Sequence, residues 1–521
     1  RLWRRGAALC LAWPAQHAGL AGGVLLAAAY AVFSGWGVPA QRTVCMLAVV
    51  ASLRLGARDW PWPTVWLLAC AAVVLADPWA LTQAGFWLSF VAVGVLFASG
   101  SRRPPAAQDR PPPRWHRLAA AGAGLLREQW VVSLALTPLS LLLFGQVSVV
   151  GLLANLIAIP WVTLVVTPLA MLGALVPPLW DLAAQAVALL ALVLQWLAAV
   201  PFATWSAPAP PPWAALAGVL GGLLWVMRLP WSVRALGAPL LLPVLLWQAP
   251  RPPAGEFEVL AADVGQGNAV LVRTASHTLV YDTGPGYSRE TDAGQRVLVP
   301  LLRALGESVD TVLVSHRDQD HTGGAGAVLR MQPRAALLSS LEAGHELRLL
   351  RPGPRCAAGQ QWEWDGVRFR ILHPAAAAYE APARPNALSC VLHVSNGRSA
   401  ALLPGDVEKA QEAVLVERPE SLRADLLLVP HHGSSTSSSP SLLAAVQPAV
   451  ALVQAGYRNR FGHPAAQVAE RYRAAGVRLE ASFQCGAATW RSERPGLVQC
   501  ERAVSRRYWH HAGDAARVQA E

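Results

Sequence analysis

The stretch VSHRDQDHTGG, Val314 to Gly324, places His316, Asp318, Asp320 and His321 within six consecutive positions. An apolar run, TVLV, precedes it and a glycine pair follows, so the four side chains occupy a strand-to-helix loop. Ligands at i, i+2, i+4 and i+5 on such a loop can face two neighbouring metal positions. A mixture of imidazole and carboxylate suits Zn²⁺ or Mn²⁺. The bland alternative, a solvated polar loop with chance histidines, does not account for four ligand-type side chains at one strand end.

Two later stretches add to the set. ALLPGD puts Asp406 at the end of an apolar strand, where a carboxylate is costly unless it meets a cation. LLLVPHHG does the same with His431 and His432. Either alone reads as a capping aspartate or a core histidine. Taken with the first cluster, they form a ligand set for one or two divalent ions, Mn or Zn. Paired metals suit phosphoester hydrolysis, because they generate hydroxide and stabilise both the attacking and the leaving oxygen.

The elements that must position these residues begin after APRPPAG, residues 249–255. Short β-rich runs such as FEVLAADVG, HTLVYDTG, TVLVSH, SCVLHVS and DLLLVPHHG end in Gly, Asp, Ser or His, with helical stretches at 294–306, 405–417 and 464–476. Strands alternating with helices, and polar residues at strand ends, predict a layered α/β domain over 257–500 after a linker at 249–256. Residues 501–521 read as a polar tail.

The first half is different in kind. The chain of 521 residues is 54% hydrophobic and only 14% charged, with 22 tryptophans, whereas a soluble domain carries roughly 25% charged residues. Apolar runs at about 19–33, 43–56, 64–76, 84–99, 130–145, 149–176, 182–200, 212–227 and 235–248 predict seven to nine membrane segments within residues 1–248. Several are short for a straight span, so some are expected to be broken or enclosed. Residues 1–250 hold 14 Lys+Arg against 5 Asp+Glu, or +9, which leaves 29 against 27, or +2, for 251–521. The net +11 therefore reflects short basic loops rather than a nucleic-acid surface. The loop SRRPPAAQDRPPPRWHR, residues 101–117, is assigned to the cytoplasm by its arginines. Five crossings later, with Arg228 and Arg234 marking an intermediate return, the second half emerges on the outer face. The seven cysteines contain no C-x-x-C pair, and Cys485 with Cys500 can join as a disulfide in an oxidising compartment.

Further motifs narrow the reading. The order H-x-D-x-D-H, then a later Asp, then a later His resembles the metallo-β-lactamase fold. That resemblance implies a four-layer αββα sandwich in which His316 and Asp318 serve one metal and Asp320 and His321 the other. Asp406 would bridge them, the His431/His432 pair would supply a ligand to the second, and Asp320 would orient or deprotonate the attacking water. His431 is assigned as the ligand of the pair, and Asp320 with His432 as catalytic. Asp282 in YDTG is assigned to architecture. ADVGQGNAVLV, PNALSCVL, VPHHGSSTSS and RFGHP resemble the hydrolase-like domain of the ComEC competence family. FSGWGVPAQRT, DPWALTQAGFWLSF and the stretch 136–162 resemble its membrane region.

The likeness runs from the start to about residue 500 and implies an inner-membrane channel for single-stranded DNA in natural transformation. A metal-dependent nuclease domain outside the cytoplasm would degrade the other strand. Gln266, Asn268, Asn386, Ser389, Ser434 and His463 are the residues it assigns to substrate binding. Gln41, Arg42, Gln146 and Asn155 are candidates for the channel lining, with Arg54 and Arg127 beside apolar runs. Trp36, Trp87 and Trp130 read as interface anchors or as stacking surfaces for bases. DNA, lipid, an extracytoplasmic DNA-binding competence protein, a separate cytoplasmic motor and a second copy of the chain are the implied partners. An N-terminal OB-fold-like segment of the family is expected to be missing. Asn268 stands where the family has Asp, no third imidazole is evident for the first metal, and Pro404 precedes the Gly-Asp turn. Two other readings stay open: a channel with a DNA-binding but inactive domain, and a membrane-bound metallohydrolase of another phosphodiester.

Overall fold

The computed structural model describes residues 3, 6–56, 60–99, 114–200, 202–227, 229–417 and 422–507. It divides into two units, Arg1–Trp247 and Gln248–Glu521. Most of the loop 101–117, together with Arg228 and residues 508–521, lies outside the described residues.

The first unit is helical. Helices Ala15–Phe33, Val38–Leu55, Gly151–Gly173 and Pro178–Ala198 are long and apolar enough to cross a membrane, and Trp62–Ala76, Ala84–Ser99, Pro212–Val226 and Trp231–Leu246 are shorter apolar helices. A further helix, Arg114–Phe144, extends well ahead of the apolar run at 130–145. Pro160 lies within Gly151–Trp161, and the span continues through a π-turn at Val162–Val166. Such a turn re-satisfies backbone groups that a proline frees. One short antiparallel ladder pairs β1 (Gln146–Ser148) with β2 (Thr204–Ser206).

Polar side chains in this unit are tied down locally. Arg42 is buried, donates to the Gln83 amide oxygen, and Gln83 Nε2 in turn donates to Asp77 Oδ2 at 3.2 Å. A charge in an apolar helix is tolerable when an opposite charge closes the network. Gln41 folds back onto the Trp36 carbonyl at 2.8 Å, and Arg127 donates to the Ser99 carbonyl at 3.1 Å. Trp36, Trp87 and Trp130 are all exposed; Asn155 is exposed on its helix, and Gln146 pairs with Ser206 across the ladder.

The second unit is built from β3 (Glu258–Ala261), β4 (Val270–Arg273), β5 (Thr278–Tyr281), β6 (Thr311–Val314), β7 (Ala336–Ser339), β8 (Gln361–Trp364), β9 (Val367–His373), β10 (Val391–Ser395), β11 (Ala400–Leu403), β12 (Leu426–Leu428), β13 (Val450–Val453), β14 (Arg478–Ala481), β15 (Ala488–Arg491) and β16 (Val498–Cys500). They form two seven-stranded sheets, β16-β15-β3-β4-β5-β6-β7 and β14-β13-β12-β11-β10-β9-β8. Alternation along each strand sends one set of side chains between the sheets and the other outward. Val259, Val270, Val272, Leu279 and Leu313 meet Phe369, Ile371, Leu392, Leu403 and Leu428 in the central core. Outward, Leu260, Leu271, Val280 and Val312 pack under Leu298, Leu302 and Val328, while Leu402, Leu427 and Ala451 pack under Leu415, Leu442 and Val468. Helices therefore cover both outer faces, and the layers run αββα.

Strands β5, β6 and β7 run parallel, as do β11 to β14. Parallel strands end on the same side, and this alignment gathers the loops after them. Two disulfides, Cys356–Cys390 and Cys485–Cys500, close loops in this unit, while Cys10, Cys45 and Cys70 of the first unit are free. Where the sequence suggests a polar tail, Glu501–Val504 is instead a helix docked by Arg502, which ion-pairs with Asp263 at 3.0 Å.

His393, on β10, shows how the sandwich constrains a titratable group. Its Nε2–H donates to the Arg423 carbonyl at 3.1 Å, and its Nδ1 accepts from Arg370 at 3.4 Å. Burial, with Arg370 adding to it, lowers the imidazole from 6.5 to about 4, against the smaller opposing pull of the Arg423 carbonyl. The folded state thus prefers neutral imidazole. Its contribution is complete above the unfolded value of 6.5 and is lost as pH falls towards 4. The stability of this unit in urea should therefore drop by about 3 kcal/mol across that window. His393→Gln should flatten that part of the pH profile.

Candidate metal centre

Each residue of the cluster stands just beyond the carboxyl end of a parallel strand. Asp282 follows β5, Ser315 to His321 follow β6, Asp406 follows β11, His431 and His432 follow β12, and Gln454 follows β13. Two loops must pass very close to allow this. At Gly405, with φ +61°, a Cβ would sit 3.1 Å from Ser315, Ser389 and the Tyr281 hydroxyl. At Gly267, with φ +134°, a Cβ would sit 2.4 Å from the Asp320 carbonyl oxygen. A side chain at Gly267 would collide with that backbone, and one at Gly405 would be strained and tightly crowded.

Two close groups result: His316, His321 and Asp406, and Asp320, His321 and His432, with the ligand atoms of each group within 4.8 Å of one another. His321 belongs to both. Its Nε2 lies 3.3 Å from Asp406 Oδ1, while His432 Nε2 lies 3.2 Å from Asp320 Oδ2 and 3.6 Å from Asp406 Oδ2.

The tautomers follow from the partners on the far side of each ring. His321 Nδ1–H donates to Asp282 Oδ2 at 2.7 Å, and His432 Nδ1–H donates to the Gln454 carbonyl at 2.9 Å. Ser315 Oγ gives its proton to Asp282 Oδ2 at 2.8 Å and so accepts from His316 Nδ1–H at 3.0 Å. All three neutral rings therefore turn a bare Nε2 lone pair inward. Those three atoms and Asp406 Oδ1 are buried and have no hydrogen-bond partner.

Acceptors facing acceptors repel unless a cation lies between them. The donor set, imidazole nitrogen plus carboxylate oxygen, is the one that suits a divalent zinc- or manganese-type ion. Without an ion the same geometry draws protons. Burial opposes charge on His321, but Asp406 and Asp282 outweigh it and hold the pKa well above 6.5. For Asp320, burial is outweighed chiefly by His432 and His321, and the carboxyl falls to about 2.

The remaining predicted residues divide into those at the centre and those beside it. Asp318 Oδ2 is 3.5 Å from His316 Nε2, but its side chain is 45% exposed and joins neither close group. His432, not His431, enters a group; His431 Nε2 stays 3.7 Å from Asp406 while its Nδ1 faces Glu408 and Thr436. Both histidines adopt left-handed backbone, φ 50° and 54°, strain of the kind that costs about 1–3 kcal/mol per residue. Ser389 Oγ accepts from the Asp406 amide at 3.2 Å and lies 3.4 Å from His316 Nδ1, whereas Asn386 sits one turn earlier. Asn268 is buried with both amide atoms unpartnered, and Gln266 accepts from the Gly456 amide at 3.2 Å. The His463 ring stacks on His432, centroids 6.4 Å apart, and Ser434 bonds to Thr436.

Sequence reasoning did not single out Ser315, Gln454 or the Cys356–Cys390 bridge. A serine directly before the first histidine was the available signal for Ser315. The other two are formed by residues distant in sequence. Cys485 and Cys500 approach Glu480 as a third possible group, but their sulfurs are already joined to each other.

The fold and site define a protein with an apolar helical half and a metallo-β-lactamase-type domain. Residues 2–232 match the family described as Competence protein, and residues 262–457 match the Metallo-beta-lactamase superfamily. The chain is 35% identical to Competence protein ComA of Neisseria gonorrhoeae, over 94% of this chain and 67% of that protein. It is 33% identical to the uncharacterized protein YcaI of Escherichia coli, over 88% and 59%, and 30% identical to Recombination protein 2 of Haemophilus influenzae, over 86% and 60%. The chain belongs to the ComA/ComEC family of competence proteins. It spans about three fifths to two thirds of the length of these relatives.

Asp282 touches no inward lone pair, yet it fixes the tautomer of the histidine common to both groups. Asp282→Asn should weaken divalent-metal affinity by about 10- to 100-fold. Competition against a chromophoric chelator measures this directly.

Proposed function

We propose that residues 1–248 form a membrane channel for single-stranded DNA. Through the linker 249–256 they carry a metal-dependent phosphodiesterase, residues 257–500, that degrades the strand left outside. The observation that carries the hydrolytic part is the buried set of inward lone pairs on His316, His321, His432 and Asp406. Divalent ions held there would supply a hydroxide nucleophile near neutral pH and positive charge beside the phosphoryl oxygens. His316, His321, Asp320, His432 and Asp406 would hold them, with Asp318 and His431 at the edges of the set. Asp320 is the most open of the close carboxylates, its side chain 33% exposed, and is placed to accept a proton from an entering water.

Placement outside the cytoplasm is supported by the basic loops of the first half. The confinement of both disulfides to the second unit agrees with it, since such bonds persist in oxidising compartments. Arg42, Gln41, Gln146 and Asn155 are the proposed polar contacts of the channel, and lipid surrounds it. DNA is the partner in both halves, delivered by an extracytoplasmic DNA-binding protein and drawn inward by a separate cytoplasmic motor.

The test uses the full chain in detergent, loaded with Mn²⁺ or Zn²⁺, and duplex DNA with each strand labelled. Metal-dependent cleavage is expected, and Asp406→Ala should reduce it by about two orders of magnitude or more. DNA binding without metal-dependent cleavage would instead identify an inactive, DNA-holding domain.

A further inference from the structure

The segment 456–464, GYRNRFGHP, carries two arginines and no carboxylate. One end of it lies at the metal centre. The His463 ring stacks on His432 at 6.4 Å and 22°, Phe461 stacks on His463 at 5.6 Å and 25°, and the Arg460 guanidinium lies over Phe461 at 4.8 Å. Four flat groups thus run in sequence from a candidate ligand to the domain surface. Beside them Arg458 lies over the Tyr457 ring at 5.3 Å.

Phe461 and Tyr457 are 53% and 54% exposed. Loose packing does not explain that exposure, because Asn459 braces the loop from within. Its amide donates to the carbonyls of Gly456 at 3.0 Å and His463 at 2.6 Å, and its oxygen accepts from the amides of Phe461 at 3.2 Å and His463 at 2.9 Å. The far end of the loop is tied by the Gly456 amide to Gln266. A braced loop that shows aromatic rings and guanidinium planes to solvent is organised in advance for a ligand that is flat and anionic.

We propose that this loop is a platform for an unpaired nucleotide. Its base stacks on the Phe461–Arg460 pair, and its phosphates lie along Arg460 and Arg458. Stacking of this kind accepts any base, and it favours single-stranded or frayed ends, since paired bases hide their faces. The column would then hold the nucleotide at its outer end, with His463 between it and His432, so single-stranded ends would be retained at the approach to the centre in preference to intact duplex. The proposal rests on the nucleic-acid reading above for its ligand, but not on cleavage.

The test uses the full chain in detergent with Mn²⁺ and a short phosphorothioate single strand carrying 2-aminopurine, which reports stacking by loss of fluorescence. Binding should quench it, and Phe461→Trp should keep the quench. Phe461→Leu should abolish it and weaken binding about tenfold. Arg460→Gln should reduce the slope of log affinity against log salt by about 0.7. Retained quench and affinity in Phe461→Leu, or no binding by the unsubstituted chain, would overturn the platform. Quenching that depends on Phe461, without cleavage of an ordinary strand, would support the platform while removing the nuclease reading. Cleavage with no quench would do the reverse.

Discussion

Three imidazole lone pairs and two carboxylates are aimed at each other in one confined space, and they draw positive charge, as protons or as a metal ion, into it. Such an arrangement opposes folding unless positive charge enters it. Much of the second unit is arranged around that constraint. Ser315, Asp282 and the Gln454 carbonyl each take the outer proton of one ring, so no ring can rotate to relieve the repulsion without losing a bond. Glycines at 267 and 405 let neighbouring loops approach closely enough to enclose the centre. Parallel strands in both sheets deliver the ligands from one side.

How much of this could be read from the sequence follows from how local each feature is. The cluster from His316 to His321 lies within one loop, so its spacing alone carried the chemistry. Strand runs alternating with helices gave a layered α/β domain, the resemblance to the metallo-β-lactamase fold implied its αββα order, and two sheets with helix-covered outer faces are found. The choice between His431 and His432 was not legible. It is made by two consecutive left-handed residues, which turn the second ring inward and the first towards Glu408, and residue type does not encode that. Gln454 and the partner of Cys390 were equally hidden, because their contacts span long stretches of chain.

In the first half, the apolar runs gave the positions of the helices but not their ends. The helix from Arg114 starts well before its apolar stretch, because charged residues are readily helical once outside the hydrocarbon. Arg42 stood out as a charge in an apolar run, but its neutralisation through Gln83 to Asp77 depends on residues of a later turn. That network satisfies the guanidinium without a ligand. Its charge is thus met within its own unit, whereas Arg458 and Arg460 of the 456–464 loop are exposed to solvent.

Gln454 joins more than a ring to a carbonyl. From the end of β13 in one sheet, its side chain donates to the Ala262 and Ala269 carbonyls and accepts from the Ala269 amide, all at the β3–β4 turn of the other sheet. The same residue's carbonyl holds His432. Displacing one sheet against the other at this point would therefore load the hydrogen bond that orients that imidazole. The residue acts as a strut, and the alignment of the sandwich and the bite of the metal site become one mechanical variable. Wear in either, through a cavity in the central core or a lengthened β3–β4 turn, registers in the other.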